Sequence, residues 1–242
     1  MQAPSSTKTE QRAVNALETI IDEHSTMIHQ FNGNDKEMSW DGYIWLYKKN
    51  DGAQSKSNFD GRVSVQIKGH NDPQHKFLNN KKISYPVALG DLKAYATEKG
   101  MLYFLIFLDG NQREIFHASL YPSKIADYLE AAQKKGNSGT YNIPFLKLEK
   151  DAKKLYIIAK QFDDEAKKQG SAYTPLVQDR IRSDDFDKIK SITLTVVGAK
   201  DSYNALLRLS SGDICLYGKT DDDKYPRPME WIDKSTFFIG KD

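Results

Sequence analysis

The chain has 242 residues, 39% apolar and 28% charged, with a net charge of +2, which excludes a disordered or fibrous chain and leaves room for one large domain or two small ones. So even a charge balance does not by itself mark a nucleic-acid binder, and any such contact must come from local clustering. One cysteine, Cys215, excludes a disulfide framework and fits a reducing cytoplasm, the longest apolar run (Met101 to Leu108) is far too short for a membrane span, and Met1 to Thr9 carries no hydrophobic signal region.

Taken in chain order, Thr9 to Gln30 reads as an amphipathic helix. Ala13, Val14, Leu17, Ile20, Ile21 and Ile28 follow the helical period, and Asn32-Gly33-Asn34-Asp35 ends it. Tyr43 to Tyr47 is rich in β-formers, and Asn50-Asp51-Gly52 turns the chain. From Arg62 to Lys68 the residues alternate, with Val63, Val65 and Ile67 on one face and Ser64, Gln66 and Lys68 on the other. Lys68 to Lys82 is polar and basic and reads as a loop. Ile83 to Val87 is extended, and Pro86 restricts it to an edge.

Asp91 to Glu98 reads as a short helix closed by Gly100. Met101 to Leu108 is a strand covered on both faces, and Glu114 to Ser119 is its partner. Pro122 to Lys135 is helical with Ser123 near its start, Tyr141 to Glu149 is extended, and Asp151 to Gln169 is a helix packing Leu155, Ile158 and Phe162. Beyond Ser171 the character changes to short strands at Ile192 to Val197, Ala205 to Leu209, Ile214 to Tyr217 and Thr236 to Ile239. The expected organisation is an α/β domain over residues 1–170, with a mixed central sheet flanked by helices, and a smaller β-rich accessory region over 185–242. The strand signal so close to residue 242 suggests that this region continues further. Cys215, in Asp-Ile-Cys-Leu-Tyr, reads as a buried structural thiol.

Two polar clusters lie at the ends of the early strands. Ser39-Trp40-Asp41-Gly42 leads into the Tyr43 strand, and Gln66-Ile67-Lys68 puts two polar side chains on one face of the next. If those strands pair as a hairpin, Asp41 falls near Gln66 and Lys68. Such a set suits phosphodiester hydrolysis. A carboxylate and an amide oxygen can hold Mg²⁺, and a lysine can orient the attacking water and offset charge on the phosphate.

An Asp, a gap and then (Glu/Gln)-X-Lys on a strand, after a helix bearing a Glu, resembles the PD-(D/E)XK nuclease superfamily. The Gln form is similar to its Mrr-like branch, found in restriction and anti-phage proteins. A looser resemblance runs through Ile83 to Tyr128, so that the likeness covers roughly the first 150 to 170 residues. It implies a restriction-endonuclease-like fold. Asp41, Gln66 and Glu18 would be metal ligands, with Glu10 the alternative helix residue, and Lys68 the catalytic lysine. It further implies Mg²⁺ with Mn²⁺ as a substitute, DNA rather than RNA as substrate, a cytoplasmic role in defence against phage or foreign DNA, and a homo-oligomer, with a regulatory partner or further domain controlling it. Trp40 stands where the motif's fullest form has Pro, and Gln66 where it has a second acid.

His70, His75, Lys76, Lys81 and Lys82 follow Lys68 closely and are candidate phosphate contacts. A solvated charge run is the competing reading. Asp41-Gly42 also suits a plain turn, and Gln66 and Lys68 an ordinary edge strand. Gln66 in particular keeps open a rival function, a catalytically silent nuclease-fold module that binds nucleic acid or a partner protein. Asp221-Asp222-Asp223 lacks the spacing of a calcium loop and reads as a turn.

Overall fold

A computed structural model describes residues 6–31, 40–48, 55–77, 79–110, 112–171, 181, 187–193, 214–223 and 226–232. The chain divides into two compact units, Met1–Ala166 and Lys167–Asp242. The first holds α1 (Ser6–Asp22), β1 (Met27–Phe31), β2 (Gly42–Tyr47), β3 (Phe59–Asn71), β4 (Lys82–Ala88), α2 (Leu89–Thr97), β5 (Met101–Asp109), β6 (Gln112–Leu120), α3 (Pro122–Lys134), β7 (Thr140–Leu148) and most of α4 (Ala152–Ser171). The protein is α/β. Seven strands form one mixed sheet in the order β1-β2-β3-β5-β6-β7-β4, antiparallel throughout except for the parallel β3–β5 pair.

The local rules explain most of these elements. β5 is an unbroken apolar run and is buried along Met101–Leu108, as a central strand covered on both faces must be. One face of β5 presents Tyr103, Leu105 and Phe107 to a core that includes Leu92 of α2, Ile125 of α3 and Phe145 of β7. The opposite side of the sheet is covered by α1, which packs against β1, β3 and β5. Its stripe of Ala13, Ala16, Leu17, Ile20 and Ile21 is buried, as the helical period requires. A Cβ at Gly69 would lie 2.8 Å from both Ala13 Cβ and Thr9 O, so this glycine lets the N-terminal half of α1 sit directly on β3. The Thr9 hydroxyl and the Asn71 side chain close the same contact, Asn71 Nδ2 donating to Thr9 Oγ1 at 3.1 Å.

α4 joins α1 on that side. His24 stacks on Tyr156 at 4.6 Å, and Lys160 Nζ reaches Asp60 Oδ2 at 2.9 Å and Asp164 Oδ1 at 2.8 Å. Asp151 starts α4, accepting from Lys153 N at 2.7 Å. β4 lies at the sheet edge with Pro86 inside it, where a missing N–H costs least.

Two expectations need correction. The helix expected to run to Gln30 stops at Asp22, and Met27–Phe31 forms the edge strand β1 instead. Met27 and Ile28 satisfy a helical stripe and a strand equally well; long-range pairing with β2 decides between them. The loop expected from Lys68 is strand as far as Asn71, because pairing with β5 continues to Asn71–Leu108. α3 starts where expected, with Tyr121 at the cap and Pro122 and Ser123 in its first turn.

The second unit contains a three-stranded antiparallel sheet in the order β10-β9-β8, from β8 (Ser191–Thr193), β9 (Ile214–Lys219) and β10 (Arg227–Ile232). Cys215 is buried, as expected. Asp223 closes the turn after β9, accepting from Thr220 N and Oγ1 at 2.9 Å. The strands expected at Ala205 to Leu209 and Thr236 to Ile239 lie outside the described residues.

Candidate functional site

β2 and β3 run side by side until Gly42 meets Val65, and Asp41 N makes a last bond to Val65 O at 2.9 Å. Beyond that point β3 continues for six residues along β5 alone. Its backbone on the β2 side therefore loses a strand partner, and a buried N–H without one is costly. Asp41 resolves this. Its Oδ2 accepts from Ile67 N at 2.6 Å and from Gln66 Nε2 at 2.6 Å. The carboxylate thus fills the fork between the diverging strands. Short, charge-assisted bonds of this kind fix its orientation.

Around Asp41 stand the other members of the set. Gln66 Oε1 faces the Tyr95 hydroxyl of α2 at 3.5 Å. Lys68 lies two residues further along β3 on the same face, exposed, and its charge acts on Asp41. Glu10, on the first turns of α1, also acts on Asp41, repelling its charge. Burial pushes the Asp41 carboxyl up from its ordinary range. The Ile67 bond opposes this, Glu10 adds to it, and Gln66 and Lys68 offset part of it. Burial likewise pushes the Tyr95 and Tyr103 hydroxyls upward, with Asp41 contributing, so both remain protonated donors.

Asp41, Gln66 and Lys68 come together at this fork as their spacing suggested. Glu18 does not join them. It sits eight residues up α1 from Glu10, about 12 Å along the axis, and pairs with His29 Nδ1 at 3.3 Å. The helix runs so that its N-terminal turns lie over the end of β3, which puts Glu10 rather than Glu18 within electrostatic reach of Asp41. His70 is on β3, not in a loop. Its ring stacks on Phe107 at 5.4 Å, and burial followed by the Lys68 charge lowers its pKa, which keeps it neutral. His75 pairs with Asp109 at 3.0 Å in a turn organised by Asp72, whose carboxylate accepts from Lys76 N at 3.1 Å and Phe77 N at 3.3 Å. Lys76, Lys81 and Lys82 are exposed. Tyr95 is the contributor that sequence reasoning did not single out for the site; it carries no motif and reaches Gln66 only through the packing of α2.

Among the described residues no three of His, Cys, Asp and Glu converge to hold a metal ion. The donors here are two carboxylates and one amide. A half-buried carboxylate driven upward by desolvation and by a second acid is nevertheless a place where a cation relieves both penalties. The sign of the effect gives a test on metal-free protein. An acid whose folded pKa is raised stabilises the fold below its unfolded pKa, and loses that contribution as pH rises through the folded value. Asp41→Asn removes the charge and keeps an oxygen for Ile67 N. The metal-free variant is expected to melt above wild type at neutral pH, with the gap closing below about pH 4. Thermal denaturation in chelator across that range checks this; a variant melting below wild type at neutral pH would contradict it.

No helix among the described residues is long and apolar enough to cross a membrane. Comparisons with protein-family models, curated proteins and solved structures find no match to this chain.

Proposed function

We propose that the chain is a metal-dependent nuclease of the PD-(D/E)XK kind that hydrolyses DNA phosphodiester bonds. The observation that supports it most is the contact of Asp41 with Gln66 at the point where β2 leaves β3, with the charges of Lys68 and Glu10 acting on the same carboxylate. Asp41, Glu10 and the Gln66 amide oxygen would hold Mg²⁺, or Mn²⁺ in its place, since hard oxygen donors suit such ions. When bound, the ion supplies Lewis-acid polarisation of the scissile phosphate. The remaining work belongs to the side chains. Gln66 turns its amide so that oxygen rather than NH₂ faces the carboxylates. Lys68 donates to a phosphoryl oxygen and orients the attacking water. Ile67 N keeps Asp41 from rotating out of the fork.

In this reading the protein acts in the cytoplasm against phage or foreign DNA, as a homo-oligomer able to cut both strands, and under control of a partner or further domain. One feature favours the rival, a silent module that only binds: Gln66 offers its NH₂ to Asp41, and its oxygen lies towards Tyr95. Plasmid DNA incubated with the protein in Mg²⁺ or Mn²⁺ separates the two. Nicking or linearisation that disappears with chelator and with Asp41→Ala supports the enzyme. Binding without cutting in either metal supports the module. An RNA of matched length in the same assay tests the choice of DNA.

A further inference from the structure

The face of β3 that carries Gln66 and Lys68 continues away from the fork as an aromatic surface. Tyr43, Trp45 and Tyr47 alternate with the buried Ile44 and Leu46 on β2, so all three project to this side. Tyr43 pairs with Ser64, Trp45 with Arg62 and Tyr47 with Phe59. A register shift between Leu46 and Tyr47 is what returns Phe59 to the aromatic face, while the intervening Asp60 turns to Lys160 of α4.

The rings are fixed. Trp45 stands edge-on to Phe59 at 5.4 Å, and its indole N–H donates to Gln30 Oε1 at 3.0 Å. Tyr47 meets Phe59 at 6.2 Å, and the Arg62 guanidinium lies 4.2 Å over the Tyr43 ring. They are also open to solvent. Phe59 is 41% exposed, Arg62 is exposed, and Tyr43, Trp45 and Tyr47 are half-buried. α1 and α4 lie on the other side of these strands, and α2 meets this side at Gln66. Along β2 and β3 from Phe59 to Lys68 the charged side chains facing this way are Arg62 and Lys68, both positive.

We infer that this face is a track for single-stranded nucleic acid leading into the fork, with unpaired bases stacked on Trp45 and Phe59 and the backbone held by Arg62 and Lys68. It rests on the hydrolytic reading of the fork and specifies its substrate: a strand with unpaired bases beside the cut. The distance from Arg62 to Lys68 along the strand is about 20 Å, room for several nucleotides. A duplex buries its base faces internally and cannot use exposed rings in this way. Flat aromatic rings bordered by cations are how sequence-tolerant single-strand binders work. A protein partner would want the rings too, but on these two strands the charges bordering them, Arg62 and Lys68, are both positive.

The test is binding of a short oligothymidine in chelator, read by tryptophan fluorescence and by anisotropy, beside a blunt duplex of equal length. The oligothymidine is expected to bind more tightly than the duplex and to quench fluorescence, and Trp45→Phe removes most of that quenching. Phe59→Ala and Trp45→Ala each weaken binding by about fivefold or more, with unchanged circular dichroism. Phe59 is the surface position, so its variant reports even if Trp45→Ala folds poorly. Unchanged oligothymidine affinity in Phe59→Ala overturns the track. So does an oligomer that dissociates on Phe59→Ala in a protein that binds no oligothymidine, which would assign the rings to a second copy of the chain. Tight oligothymidine binding without cleavage in any metal leaves the track standing and removes the nuclease.

Discussion

Lys68→Ala is expected to reduce metal-dependent DNA cleavage by about 10²–10³-fold while leaving the fold and most of the DNA affinity intact. Lys68 is exposed on β3, so its stem supports no core packing, and the fork's geometry is set by Asp41, Ile67 and Gln66. In the proposed reaction, a residue in that position would contribute mainly where charge develops on the phosphate. One cation lost from a phosphate track lowers the salt dependence of binding by about one ion at most. Single-turnover cleavage and salt-dependent binding therefore separate the two roles. Lys68→Arg is expected to restore binding fully and cleavage only in part, because a planar fork does not place its donors as an ammonium does. A Lys68→Ala protein that cuts at the wild-type rate would remove the lysine from the chemistry.

How much of this was legible beforehand depends on the range of each interaction. The alternation of Val63, Val65 and Ile67 with Ser64, Gln66 and Lys68 is local, so it identified the strand and the face of the site. Asp41 before Gly42 was legible as the head of a strand, and strand pairing brought it to Gln66. The helix acid was not legible. Glu10 and Glu18 both flank the buried stripe of α1, and only the direction in which α1 crosses the sheet, fixed by Gly69, Thr9 and Asn71, distinguishes them. The end of β3 was missed because Gly69, His70 and Asn71 have little β-propensity of their own. They are extended because Ile106 to Leu108 lies beside them. β10 was missed for a similar reason. Pro226 and Pro228 argue against a strand, and the chain accommodates them at a sheet edge with a register shift after Pro228. The aromatic face was legible only in part: Tyr43 and Tyr47, with Tyr95 and Tyr103, form a Tyr-rich stripe that reads as core and interface sooner than as a base-stacking platform. Its orientation depends on a bulge at Asp60, and no local pattern announces which residue will bulge.

Gly42→Ala is expected to destabilise the protein by on the order of 3 kcal/mol, lowering the melting temperature by roughly 6–12 °C for a unit of this size. Gly42 has φ of +145°, a conformation that a side chain disfavours. A Cβ there would lie 2.1 Å from Gln30 O and 2.8 Å from Phe31 Cα. Both are backbone atoms of β1, so no rotamer change relieves the clash. β1 would have to move away, and with it the Phe31–Gly42 pairing that ends the hairpin beside the fork. Asp41 is the preceding residue, so displacing Gly42 also loosens the carboxylate's grip on Ile67 N. Cleavage should therefore fall together with stability in Gly42→Ala, whereas in Lys68→Ala cleavage falls alone. Thermal melting and single-turnover cleavage on both variants distinguish these patterns. If Gly42→Ala melts like wild type, the close approach of β1 to the head of β2 is wrong, and with it the account of how the fork holds its carboxylate.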